Sequence, residues 1–279
     1  MKKYVFLALV VMLLLTMVGC GAEANVEPDE TARQPEAATT DALPTGNAGF
    51  DTPEAAIRAY LEGLRDSDLD RMISAFAVER SVINYSFEAT LERLQIYTAM
   101  MGMPNANEFA TAMNIERRRA NVVDMIIEQY LFLCFPELDI TEYQSLEDAS
   151  TFVNQFTEAL NAPEFQTLEL LGFIPPEVLD VREQYVSEAN QENLAHMAER
   201  LGADQLESRA AVFELDGNTY LLFFEVIAYG SEWYINQLGG RLGFMLGLAP
   251  FTQGLVPTEF FDELIDELGI DLQAAMVSG

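Results

Sequence analysis

The chain has 279 residues, 45 of them acidic against 15 basic, with a formal net charge of −30 at neutral pH. Nucleic-acid binding and a polybasic grip on anionic lipid both need clustered cations, so this composition excludes them. The plain meaning of the acid excess is solubility and self-repulsion outside a cell; a cationic or Ca²⁺ partner is the alternative.

The first segment runs from a two-lysine start, Lys2-Lys3, through an apolar stretch from Tyr4 to Val18, to Gly19-Cys20. Positive, apolar and small-residue parts in that order make a secretory signal. At about 1.5 Å per residue the stretch makes roughly 22 Å of helix against a hydrocarbon core of roughly 30 Å, too short for a comfortable span. Met17-Val18-Gly19-Cys20 resembles the lipobox of bacterial lipoproteins, in Gly19 and Cys20 more than in Met17 and Val18. The resemblance implies cleavage between Gly19 and Cys20, removal of residues 1–19, and a diacylglyceryl thioether on Cys20. Two acyl chains suffice for stable anchoring. The expected location is the extracytoplasmic side of a bacterial envelope membrane. An ordinary signal peptide that contains a cysteine, or an uncleaved anchor, is the other reading. Both lysines and no acid lie before Cys20, so the mature chain would carry 13 arginines against 45 acids, a net −32. Cys134, the other cysteine, sits in an apolar run and reads as a small buried hydrophobe.

Residues 20–50 are Ala, Thr, Glu, Pro, Asn and Gly with almost no large apolar side chain before Phe50, the composition of a disordered tether. The folded domain is expected over residues 51–279. Thr52 can cap a helix that Pro53 opens, and Ile57, Tyr60, Leu61 and Leu64 repeat at helical spacing. Ser67 with Asp70 resembles a capping box for a second helix carrying Leu69, Met72, Ile73 and Phe76, which makes a helical hairpin. A third helix starts at Ser86. A long one spans about Ala106 to Leu133, and its second half, apolar nearly all round, is expected to be buried. Ser145–Leu160, Pro176–Leu201 and a closing segment, Pro257–Leu268, read as further helices.

Between Glu207 and Leu238 the period changes to two. Ala211, Phe213 and Leu215 alternate up to Asp216-Gly217, a hairpin signal, and Tyr220, Leu222, Phe224 and Val226 alternate beyond it. Gly230-Ser231 turns into a strand with Trp233 and Ile235. The middle strand is apolar on both faces and should be covered on both. The expected class is therefore α+β and helix-rich: an N-terminal helical hairpin and a long helical middle segment, packed on a C-terminal antiparallel meander of at least three strands, with a closing helix. Asp51-Thr52-Pro53-Glu54-Ala55-Ala56 with Tyr60-Leu61, then Asp68-Leu69-Asp70, then Glu232-Trp233-Tyr234-Ile235 resemble the cone-shaped nuclear-transport-factor-2-like fold. The helical segment from about Asn84 to Asp204 stands where that fold has its first strands. The fold hosts enzymes and inert binders alike, so the resemblance implies no active site.

Several places imitate chemistry. Asp66-Ser67-Asp68-Leu69-Asp70 starts like a Ca²⁺ loop, but Arg71 stands where a Gly is needed and Ala77 where a Glu is, so a helix cap is expected. Gly239-Gly240-Arg241-Leu242-Gly243 could offer amides to a phosphate, yet no βαβ unit surrounds it and tight packing is expected. His196, the lone histidine, lies among Gln191, Glu192 and Glu199 and reads as a solvated surface residue. Arg117-Arg118-Arg119 point about 100° apart on a helix, so pairing with acids is expected over a single anion site. Asp262, Glu263, Asp266 and Glu267 read as a solvated face. Met100, Met101 and Met103 fill gaps or mark an adaptable surface. No metal or cofactor is expected. The function expected is a non-catalytic binding or interaction module, taking a small apolar ligand or an envelope protein in an apolar groove at Tyr60, Trp233 and Tyr234. An extracytoplasmic enzyme using a pocket carboxylate as general acid or base is the rival. The oligomeric state is left open.

Overall fold

The computed structural model describes residues 48–98, 101–135, 148–160, 163–178, 182–246 and 253–256, with 265, 266, 271 and 276. Gly19, Cys20, the tether up to residue 47, Met100 and most of the closing segment lie outside them.

The helical hairpin forms as its caps dictate. The Thr52 hydroxyl accepts from Ala55 N at 3.1 Å, Pro53 opens helix α1 (Pro53–Asp66), and Ser67 closes it in the left-handed region, φ 54°. Asp68, not Ser67, caps α2 (Leu69–Ser74), accepting from Arg71 N at 3.0 Å. The capping box is displaced by one residue because Ser67 is already committed to ending α1. Three more helices follow: α3 (Val78–Ile83), α4 (Phe87–Leu94, capped by Ser86) and α5 (Glu108–Cys134, capped by Asn107). Contrary to the all-round apolar pattern of its second half, α5 buries one stripe, Val122, Ile126, Gln129 and Leu133, and Ile127 stays exposed. Cys134 is half-buried against the same core.

Beyond α6 (Ala149–Leu160) comes strand β1 (Glu169–Ile174), inside the stretch that reads as helical. The single helix expected over Pro176–Leu201 is broken into a 3₁₀ turn at Pro176–Val178, a short α7 (Arg182–Tyr185) and α8 (Glu188–Leu201), which Ser187 starts as a new cap. The meander then follows as β2 (Gln205–Leu215), β3 (Asn218–Tyr229) and β4 (Glu232–Leu238). The sheet order is β1-β2-β3-β4, all antiparallel, and a short β5 (Leu255–Val256) pairs with Leu221 and Leu222 of β3. Between β4 and β5 lies α9 (Gly240–Met245).

Two cores sandwich the sheet. Ala211, Phe213, Leu222, Phe224, Val226 and Ile235 face α1, α2 and α5; Val212, Leu221, Phe223, Ile227 and Tyr234 face α7, α8 and α9. Cover on both faces is what the doubly apolar β3 requires. Isolated bridges cap the outer edge of β4: Phe50 and Trp233 exchange backbone bonds of 3.0 and 2.8 Å, and Phe76 bridges Ile235. Phe50 therefore belongs to the folded part, one residue before the expected boundary.

Candidate functional site

Tyr60, Trp233 and Tyr234 do not share a groove. Tyr60 is wholly buried, edge-on to Phe76 and Phe224 at 5.7 and 5.9 Å between ring centroids, and its hydroxyl donates to Gln129 Oε1. Burial pushes its phenol far above the ordinary range. Tyr234 is buried on the opposite face of the sheet and donates to Glu232 Oε2 at 3.2 Å. Trp233 is half-buried at the rim of the first core. Strand alternation separates neighbours 233 and 234 onto opposite faces, and packed side chains fill the space under α1.

An open pocket of about 420 Å³ lies elsewhere, bounded by the α3–α4 region, the segment at 101–103, α5, α8 and the end of β4. That is the size of a small-molecule site. From α3 and the turn after it come Ser81, Val82 and Tyr85, and from α4 Thr90 and Leu94. Helix α5 contributes Asn114, Arg117, Arg118 and Asn121; α8 contributes Met197, Arg200 and Leu201; β4 contributes Asn236 and Gln237. Met101, Gly102 and Met103 form a wall pinned by Asn114, whose Nδ2 donates to Met103 O at 2.8 Å, and by Asn105, whose Nδ2 donates to Val82 O at 2.6 Å. Gly102 has φ +82°, and a Cβ there would lie 3.2 Å from Arg117 Nη1, so a glycine lets this wall approach the guanidinium.

The four residues from α5 recur at spacings of three, one and three. At 100° per residue they fall within one face about 100° wide. Arg119 points away and pairs with Asp70 at 3.2 Å. The expectation that the arginine triplet pairs with acids holds for Arg119; Arg117 and Arg118 line one pocket, where Arg200 from α8 joins them. Arg118 donates to the carbonyl and side-chain oxygen of Asn236, and Asn236 Nδ2 donates to Glu225 Oε1 at 2.6 Å. Asn236 is the extra residue of a bulge between β3 and β4, which aims its amide into this chain of contacts. Glu225 is fully buried, and the loss of water pushes its carboxyl above the usual range against the opposing pull of Asn236, Arg118 and Arg241.

The α5 stripe was available to a spacing count, but Arg200, Asn236 and Gln237 come from distant segments that only the tertiary fold brings together. Of the three methionines, Met101 and Met103 line the pocket. Asp66 and Asp68 act in the helix junction: Asp66 binds Arg65 at 2.8 Å and Arg71 at 3.3 Å, and Asp68 caps α2. At Gly240 a Cβ would come within 2.7 Å of Glu225 Cβ, and at Gly254 within 2.3 Å of Gly239 Cα, so these glycines serve close packing. His196 is exposed, 3.4 Å from Glu199. Among the described residues no group of His, Cys, Asp and Glu is placed to hold a metal ion, and no helix is long and apolar enough to cross a membrane.

No family model matches the chain, and no curated protein does. Among solved structures it is similar to a cystatin-like protein from Ruminococcus gnavus, at 17% identity and a TM-score of 0.37, over 66% of this chain and 39% of that one. The chain thus spans well under half of that protein's length, and a likeness of this strength carries no argument about the pocket.

Proposed function

We propose that the protein is a lipid-anchored extracytoplasmic binding module, held to the membrane through Cys20, that takes a small ligand in the pocket between α4, α5 and α8. The nuclear-transport-factor-2-like resemblance of its hairpin and last strands is part of the same proposal. The observation that carries the binding reading is the lining itself. Guanidinium, amide, hydroxyl and thioether groups, with the Tyr85 phenol, surround the space, and no Asp, Glu, His or Cys is among the described lining residues. Such groups orient a ligand by hydrogen bonds and charge, but none of them exchanges a proton readily near neutral pH. Glu225, the carboxylate an enzyme reading would recruit, is fully buried behind Asn236.

Native mass spectrometry of the detergent-extracted full chain, incubated with spent growth medium, tests this. The expected result is a one-to-one small-molecule adduct that is released with its mass unchanged, on a chain that begins at a diacylated Cys20. Release of the molecule with an altered mass would favour an enzyme. An unmodified Cys20 would remove the anchor.

A further inference from the structure

We infer that the protein carries a membrane-docking surface, formed by the end of α4, the segment after it and the first turns of α5. Leu94, Ile96, Tyr97, Met103, Phe109 and Met113 enter the lipid–water boundary of the bilayer that holds the Cys20 lipid. The inference rests on the anchor proposed above and adds the way the domain meets that membrane.

Charged residues make up 22% of the chain, yet the sequence from 94 to 107 holds none. In a core such a run is ordinary; here its described residues are mostly exposed. Ile96, Tyr97 and Phe109 show 62%, 58% and 73% of their surface to solvent. The surface is held in place from two sides. The Tyr97 hydroxyl donates to Gly102 O at 3.3 Å, and its ring meets Phe87 of α4 edge-on, 5.9 Å between centroids. Asn114 of α5 holds Met103 O at 2.8 Å, and Phe109 and Met113 stand one turn apart on the same helix. Elsewhere Val153, Leu171, Val186 and Phe244 are exposed singly, which is ordinary for a protein surface; six large apolar side chains on adjoining turns are not.

The tether favours the bilayer as the partner. Gly49 N donates to Glu232 Oε1 at 3.4 Å, and Glu232 Oε2 accepts from Arg80 of α3 at 2.7 Å. Near the end of α3, Val82 O accepts from Asn105 Nδ2 at 2.6 Å. The place where the tether enters the domain and the uncharged segment thus lie along one helix of about 9 Å. As flexible coil the chain from Cys20 to residue 47 reaches about 30 Å, so an anchored domain presents this end to its own membrane at high effective concentration. A contact too weak to hold a free protein is then sufficient. The chemistry fits as well: tyrosine and phenylalanine settle at the lipid–water boundary, and a surface segment without acids brings none of the net −32 against the headgroups. Leu94 and Met103 also line the pocket, so a docked domain holds the pocket beside the headgroups.

The test uses the full chain as extracted from its membrane, reconstituted in phosphatidylcholine vesicles with and without bromine on the acyl chains, which quenches tryptophan on contact. Tyr97→Trp and, separately, Phe109→Trp place reporters in the surface, and Phe244→Trp places one at an exposed site on α9. All three keep Trp233, whose wild-type signal is subtracted. Flotation with the vesicles reads the anchor; quenching reads the docking. The added emission at 97 and at 109 is expected to fall about twofold or more in brominated vesicles, and that at 244 to stay unchanged. Reporters on two elements keep the answer available if one variant fails to fold. Flotation without quenching at 97 and 109, or quenching as strong at 244, would overturn the docking surface and leave the anchor standing. Emission at 97 that is untouched by bromine, and shielded from acrylamide only when the protein is crowded on the vesicle, would assign the surface to a second copy instead. A chain that does not float removes the anchor, and this inference with it.

Discussion

Tyr60 and Gln129 show how one buried polar pair can constrain a core. Gln129 is fully buried, its Oε1 accepts from the Tyr60 hydroxyl, and its Nε2 has no partner among the described residues. Tyr60→Phe would strand the carbonyl as well, and the cost of an unsatisfied buried group, about 1–3 kcal/mol, should appear in urea unfolding. Adding Gln129→Met removes both orphans, so the double variant should be more stable than Tyr60→Phe alone; if it is less stable, the pair is not the source of the loss. Glu225 makes a second prediction, in pH. Its folded carboxyl lies above the unfolded value near 4.5, so the folded state holds the proton more tightly. The group's contribution to stability is then complete below about pH 4.5 and is lost as pH rises through the raised value. Arg118 from α5 and Arg241 from α9 oppose the shift, as does the Asn236 amide of β4, but burial outweighs them. The melting-temperature advantage of wild type over Glu225→Gln should therefore shrink from pH 4.5 to 7, and an advantage that grows over that range would show that the cations control this carboxyl.

Elements in this fold were legible wherever local chemistry and tertiary packing agree. The β2–β3 hairpin is such a place: Asp216 and Gly217 both adopt positive φ, 49° and 75°, as the two-residue turn demands. Strand β1 was not legible, because Glu-Leu-Leu-Gly-Phe-Ile is too short to show a period and a register shift between Leu170 and Gly172 breaks its alternation. The pocket was legible on α5 alone, since its other walls come from segments separated by up to about half of the chain. Strand β4 supplies the prediction at this scale. Trp233 pairs with Ala228 in the ladder and with Phe50 at the edge, and is half-buried at the rim of the first core. Trp233→Ala should cost about 2 kcal/mol, below the roughly 3–5 kcal/mol of a fully buried ring. As the only Trp it reports its own setting, and intermediate acrylamide quenching is expected. A loss of 4 kcal/mol or more, with emission shielded from quencher, would make it a core residue.

Charge dominates the whole molecule. The mature chain proposed here carries 32 more acids than arginines, so however the arginines pair, most carboxylates face other carboxylates. The ion pairs at Arg65, Arg71, Arg80 and Arg119 are solvent-accessible, contribute little and are weakened by salt. Arg209, with Glu54 and Glu207, instead ties α1 to β2 from a largely buried position. Two opposing salt effects follow, loss of attraction in a few pairs and relief of repulsion among many acids. The screening length falls from about 30 Å at 0.01 M salt to about 8 Å at 0.15 M, while a compact unit of this size has a radius of gyration of about 17 Å. At the lower salt nearly every carboxylate feels every other, whereas at the higher one only neighbours do. Relief of repulsion therefore wins, and the melting temperature should rise between about 0.01 and 0.15 M NaCl, where the Debye length changes most. Calorimetry of the mature chain at neutral pH measures it, with Arg209→Met as a partner experiment. That variant should be less stable at both salts and keep the same salt slope, because the buried pair it removes is poorly screened. A melting temperature that falls with salt would mean that the surface pairs, and not the net −32, set the electrostatic balance of the fold.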